Sequence, residues 1–251
     1  MRAFFVGRSY YRTMREFAFT LQFDAGEDPL TDCFATHEDA SSQALVCALS
    51  DDRLWGLEQV SGPVDALGDI KPLLLDPARG FESISETPCE ATWSHDLLDD
   101  RRNQCTVYSL VEGTERCHTV PSLANRYLPL GTLCRVRRHG RCQHWRVLTS
   151  NERRVGLLFE TLHEKLRAGV TFRFDHLMDA TWAGEILLSA TLPANQQAAL
   201  ESAIEHGYYE TPRDVTLDEL AATLGLPRST LSYRLRKAEA RLAKEYADNT
   251  P

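Results

Sequence analysis

Apolar residues recur along this chain with two different periods, and the change of period divides it. From about residue 15 to residue 176 they mostly alternate with polar ones, the period of half-buried strands, with short helical stretches between. From residue 192 onward they recur every third or fourth position, the period of amphipathic helices.

In the first region the predicted order is strand, helix, strand, strand, helix, strand, and then the same again. EFAFTLQF, QALVCAL and RLWGLEQV read as strands, the last two flanking a turn at Asp51 and Asp52. DPLTDCFATHE and PVDALGDIKPLLL read as helices, and FESISET and EATWSH close the first unit. In the second unit CTVYSLVE, TLCRVRR, RCQHWRVL and VTFRFDH are strands, and VPSLANRYL and NERRVGLLFETLHEKLRAG are helices. Two βαββαβ units in tandem are the ferredoxin-like or ACT-like arrangement. The expected fold class is therefore α+β, with regulatory units over 1–100 and 101–191, an all-α domain over 192–246 and a tail over 247–251. Residues 177–191 are read as an interdomain helix or an extra strand that couples the two regions.

The helical region is specified most fully between Thr216 and Leu242. Leu217, Leu220, Ala221 and Leu224 make one apolar stripe, with Thr216 as N-cap and Glu219 as its capping-box partner. Gly225 stops that helix, and Pro227 sets the backbone for the next. There Leu231, Leu235, Ala238 and Leu242 form the inner stripe, leaving Arg228, Ser229, Thr230, Ser232, Tyr233, Arg234, Arg236 and Lys237 toward solvent. Two short helices about a tight turn, the second bearing hydroxyls and arginines, are the layout of a helix-turn-helix whose second helix enters the major groove of double-stranded DNA. Arginine grips guanine bidentately, and hydroxyls bond to base edges or phosphates. From 228 to 244 there are six basic residues against Glu239 alone, on a chain of net charge -8. A local basic stripe on an acidic protein implies a localised polyanion partner.

The stretch 192–244 resembles the DNA-binding domain of the bacterioopsin-activator family of haloarchaeal transcription regulators. The matching positions are Leu192, Gln196, Ala199, Leu200, Gly207, Tyr208, Tyr209, Pro212 and Arg213, then Leu217, Glu219, Leu220, Ala221, Leu224 and Gly225, and finally Ser229, Ser232, Leu235 and Arg236. One departure is that Leu192 is followed by Pro193 and Ala194 rather than Thr-Pro, which removes a hydroxyl N-cap. In the helix before the motif, Ala199, Leu200, Ala203 and Ile204 are expected to face inward, with Tyr208 and Tyr209 as a lid. The resemblance implies a transcription regulator, and a small module reading DNA at high salt implies a homodimer on two half-sites.

Composition agrees with an intracellular regulator. Of the 28 basic residues 24 are arginine, acids number 36, and no apolar run is long enough to span a bilayer, which predicts a cytoplasmic protein without membrane contact. Seven cysteines, an odd number without repeated spacing, fit free thiols, a redox sensor or metal ligands better than an oxidised framework. No P-loop, dinucleotide fingerprint or nucleophile elbow is present, so the chain is not read as an enzyme, and no resident cofactor is expected. The strands lack the clustered aromatics that would favour an RNA-binding interaction protein.

The hairpin 132–148 carries the densest chemistry. A two-residue turn at His139 and Gly140 would put Cys134, Val136, Trp145 and Val147 on a core face. Arg135, Arg137, Cys142, His144 and Arg146 would then share the other. That second face has four readings: a solvated surface, an anion or small-molecule site, a redox-sensing Cys142, or a metal site built from Cys117, His118, Cys142 and His144. Cys33, Cys47, Cys89 and Cys105 are read as small core residues, and His37, His95, His163 and His176 receive no function.

Overall fold

The computed structural model describes residues 14–77, 83–150, 152–180 and 192–248. The N-terminal AFFVG segment, Asn151, the connection 181–191 and the last three residues of the tail lie outside these. The first region contains β1 (Arg15–Phe23), α1 (Pro29–Thr36), β2 (Ser41–Ser50), β3 (Arg53–Ser61), α2 (Val64–Leu74) and β4 (Thr92–Arg101). β5 (Gln104–Glu112), α3 (Val120–Tyr127), β6 (Leu133–His139), β7 (Cys142–Thr149), α4 (Val155–Lys165) and β8 (Val170–Asp179) follow. The expected alternation of strands and helices is therefore present. Several bounds differ: Ser83–Thr87 of FESISET forms bends rather than a strand, β4 and β8 extend through Arg101 and Asp179, and α4 is shorter than the helix expected over 151–169.

Strand pairing joins the two expected sheets into one. All eight strands form a single antiparallel sheet in the order β4-β5-β3-β2-β6-β7-β1-β8. β1 lies between β7 and β8, in the half built from later sequence, and β5 lies between β3 and β4 in the earlier half. The physical cause is the tight β4–β5 turn at Arg102 and Asn103, where Arg101 pairs with Gln104. So short a connection obliges β5 to pair with β4, and the other edge of β5 pairs with β3.

All four helices cover one face. α1 and α2 bury Leu30, Phe34, Ala66, Leu67 and Ile70 against Val60 and Cys105. α3 and α4 bury Val120, Leu123, Val155, Leu158 and Leu162 against Phe17, Phe19, Leu21, Val136 and Trp145. At the β2–β6 seam a buried ion pair, Arg138 Nη1 to Glu58 Oε1 at 2.8 Å, spans the small residues of β2 on this covered side. Among the described residues, the opposite face carries no helix of this region.

The C-terminal region forms α5 (Ala194–Glu205), α6 (Leu217–Thr223) and α7 (Arg228–Asp248). Ala199, Ala203, Leu220, Ala221, Leu231 and Leu235 close a separate small core. Polar contacts tie it to the first region. Asn195 Nδ2 donates to Asp39 Oδ1 at 2.7 Å, Glu201 lies 3.6 Å from Arg137, and Arg241 donates to Gln104. Among the described residues no helix is long and apolar enough to cross a membrane.

Candidate nucleic-acid interface

The turn between α6 and α7 is fixed by local bonds. Thr216 Oγ1 accepts from the Glu219 N–H at 3.3 Å, and Glu219 Oε2 accepts from the Thr216 N–H at 2.8 Å, so the expected capping box is complete. These bonds to its charged form hold the Glu219 carboxyl below the usual carboxylate range. At the other end Gly225 takes φ of +62°, a conformation that disfavours side chains, and the Leu226 N–H closes back on Ala221 O at 3.0 Å. Pro227 O then accepts from Leu231 N–H, the first bond of α7.

α7 presents two faces. Leu231, Leu235 and Ala238 are buried. Arg228, Ser229, Tyr233, Arg236 and Lys237 are exposed, and Thr230, Ser232 and Arg234 are half-exposed, so none of the described residues covers the face expected to read DNA. Arg228 Nε bonds Asp218 Oδ1 at 2.8 Å, which aims its guanidinium along the turn. Lys237 Nζ sits 5.6 Å from the centre of the Tyr233 ring. Three expected core positions differ. Leu242 is 37% exposed and Ile204 is 58% exposed, because the trihelical core ends before these turns of α7 and α5. Tyr208 packs on the core, whereas Tyr209 turns its hydroxyl outward to donate to Glu239 Oε1 at 2.6 Å. Burial and that carboxylate together push the Tyr209 phenol upward. Pro193 stands at the N-cap of α5 without a side-chain cap bond, as its sequence implies.

The second polar surface lies on the sheet face opposite α1, α2, α3 and α4, where Arg137 also meets Glu201 of α5. The β6–β7 turn is at Gly140 and Arg141, since His139 pairs with Cys142, Arg137 with His144 and Arg135 with Arg146. The register is displaced from the expected one by two positions in total. Side chains alternate with period two, so the displacement leaves every residue on its expected face. Arg135 is buried and donates to Gln43 Oε1 at 2.9 Å, Arg146 lies 3.7 Å from Glu16, and Cys142 is half-buried. His144 is exposed, with Nδ1 3.1 Å from Thr20 Oγ1. Thr20 gives its one hydroxyl proton to Asp175 Oδ2 at 3.0 Å, so His144 Nδ1 is the donor and Nε2 keeps its lone pair. Desolvation first, then Arg137, lowers the His144 pKa and favours that neutral form.

β1 and β8 add residues to this face that sequence reading did not include. Thr20, Glu16, Arg173, Asp175 and His176 join it because β1 inserts between β7 and β8. His176 Nε2 is 2.8 Å from Glu16 Oε1. Cys117 and His118 do not converge with Cys142 and His144. They precede α3 on the covered side, Cys117 is disulfide-bonded to Cys89, and His118 Nδ1 is 2.8 Å from Ser85 Oγ. Among the described residues no cluster of three or more His, Cys, Asp or Glu side chains is placed to hold a metal ion. Cys105 is buried as expected, but Cys47 lies on the face opposite α1 to α4 and Cys89 is in the disulfide.

A trihelical core with a capped turn and an uncovered basic helix defines a helix-turn-helix protein, and comparison agrees. Residues 192–244 match the model of an HTH DNA binding domain of the bacterioopsin-activator type, which bears out the resemblance. Residues 16–183 match the family model described as HVO_2928_N, N-terminal, and the chain belongs to that family. Two relatives are similar to the C-terminal region. A dimethyl sulfoxide reductase transcriptional activator of Haloferax volcanii is 47% identical over 60 residues, covering 24% of this chain and 28% of its own. Transcriptional regulator NarO of the same organism is 40% identical over 57 residues, covering 23% and 27%. The chain thus matches these relatives over little more than a quarter of their length.

Proposed function

We propose that this chain is a sequence-specific, DNA-binding transcription regulator rather than an enzyme. Arg228, Ser229, Thr230, Ser232, Tyr233, Arg234, Arg236 and Lys237 are its reading face, and the eight-stranded region is its sensor and dimerisation half. The observation that carries this is the uncovered basic face of α7 on a closed helix-turn-helix core. Relatives named as transcriptional activators or regulators support the transcriptional role.

Each half of the sheet fits a ferredoxin-like unit whose first strand is exchanged with the other half. In β4-β5-β3-β2 and in β8-β1-β7-β6, a strand of the other half fills the position between the third and fourth strands. The input surface in this reading is the face of Arg135, Arg137, Cys142, His144 and Arg146. Its Arg137–Glu201 pair reaches α5, so an anion held by Arg137 would compete directly with the helical domain.

The test measures binding of the full chain to a cognate duplex selected from random sequence. Arg236→Ala should cost about 1–3 kcal/mol on that duplex and much less on nonspecific DNA, with two chains bound per site. Equal losses on both duplexes would make Arg236 a phosphate contact, and undiminished binding by a chain ending at Thr191 would overturn the assignment of the helical domain.

A further inference from the structure

The segment 83–91, between α2 and β4, is a strap laid over the covered face. Ile84 is buried in the larger core, its N–H donates to His118 O at 2.9 Å, and its carbonyl accepts from Arg167 N–H at 2.8 Å. Arg167, just past α4, also donates from Nε to Ser83 O and from its terminal nitrogens to Glu27. The second half of the strap is held differently. Glu86, Thr87 and Pro88 are exposed, and Cys89 is tied by its disulfide to Cys117, whose Cα is 4.6 Å away across 28 residues of sequence.

The two sulfurs differ in access. Cys117 is 1% exposed in front of α3, whereas Cys89 is half-buried between exposed neighbours. Reagents therefore meet Cys89 first. Arg126 of α3 donates to the Cys117 carbonyl at 3.5 Å, which ties the buried end of the disulfide to that helix. Two of the five free cysteines are buried, and burial pushes the Cys105 thiol up to about 11 and the Cys134 thiol to about 12.

We propose that Cys89 and Cys117 form a reversible thiol–disulfide site, reduced by dithiols, that opens and closes the strap. In reduction a dithiol's thiolate attacks Cys89 Sγ, and Cys117 Sγ leaves as a thiolate that takes up a proton. The dithiol's second thiolate then attacks its own mixed-disulfide sulfur, releasing Cys89 and a cyclic disulfide. Closure by hydrogen peroxide runs through a sulfenic acid that condenses with the second thiol, two thiols and one peroxide giving a disulfide and two waters. The site stands independently of the DNA-binding reading.

The test uses the full chain purified without reductant. Alkylation after denaturation should label five of the seven cysteines, then seven once the native protein has been exposed to dithiothreitol, and five again after hydrogen peroxide. On reduction, hydrogen exchange at the Ile84 and Arg167 amides should quicken severalfold. Cys89→Ser should match the reduced protein in that exchange and in thermal midpoint, while Cys142→Ser should keep the full redox response. Seven labelled cysteines before reduction, five after prolonged dithiothreitol, or exchange at Ile84 and Arg167 unchanged by reduction would each overturn the proposal.

Discussion

Arg138 and Glu58 illustrate how much a single residue's meaning depends on its neighbours. Both are charged, yet their side chains are 2% and 10% exposed, and they meet across the β2–β6 seam. Removing one partner strands the other charge away from water, so Glu58→Ala should destabilise the sheet by about 3–5 kcal/mol in urea unfolding. Replacing both residues with apolar ones of similar size should cost far less. His118 and His144 make a second case. Each is held below the ordinary 6.5, by burial first and then by Arg126 or Arg137. The unfolded chain therefore takes up protons more readily than the folded one. Stability should be complete above about pH 6.5 and fall as the pH drops toward the folded values. His118→Gln should flatten the decline in the urea midpoint between about pH 7 and about pH 5.

At the scale of elements, local signals decide whether an element forms and often where it ends. The helix-turn-helix is the fullest example, because Thr216, Glu219, Gly225 and Pro227 act on atoms within a few residues of themselves. Thr216→Ala should cost the helical domain about 1 kcal/mol through loss of the N-cap, read as a lower thermal midpoint of that domain. The β6–β7 hairpin was legible in its faces but not in its turn. Period-two alternation survives a displacement of two, whereas the choice between His139–Gly140 and Gly140–Arg141 rests on small differences in turn geometry. β4 was read too short because Asp96, Asp99, Asp100 and Arg101 look like loop residues. On an edge strand those charges face water, where they discourage pairing with another chain.

For the whole molecule the consequence of this strand order is that neither sequence unit holds a contiguous part of the sheet. A fragment ending at Arg101 keeps β1 but lacks both β5, which belongs between β3 and β4, and the two strands that flank β1. That fragment should show no cooperative unfolding transition by circular dichroism, whereas a fragment from Met14 to Ala180 should unfold cooperatively. Stable folding of the shorter fragment would mean that β1 can return to its own unit.

The sequence by itself determined the order of helices and strands, the two faces of each strand, the capped helix-turn-helix and its basic outer face. All of these follow from periodicity or from chemistry within a few residues along the chain. Only the tertiary structure decided that β1 lies between β7 and β8 and β5 between β3 and β4, and that Arg138 meets Glu58. It also decided that Thr20, Asp175 and His176 join the face of His144, and that Cys89 pairs with Cys117. These depend on which distant segments become neighbours. That choice is made by the tight β4–β5 turn and by the burial of Phe17, Phe19 and Leu21 between strands far away in sequence, and neither leaves a periodic trace.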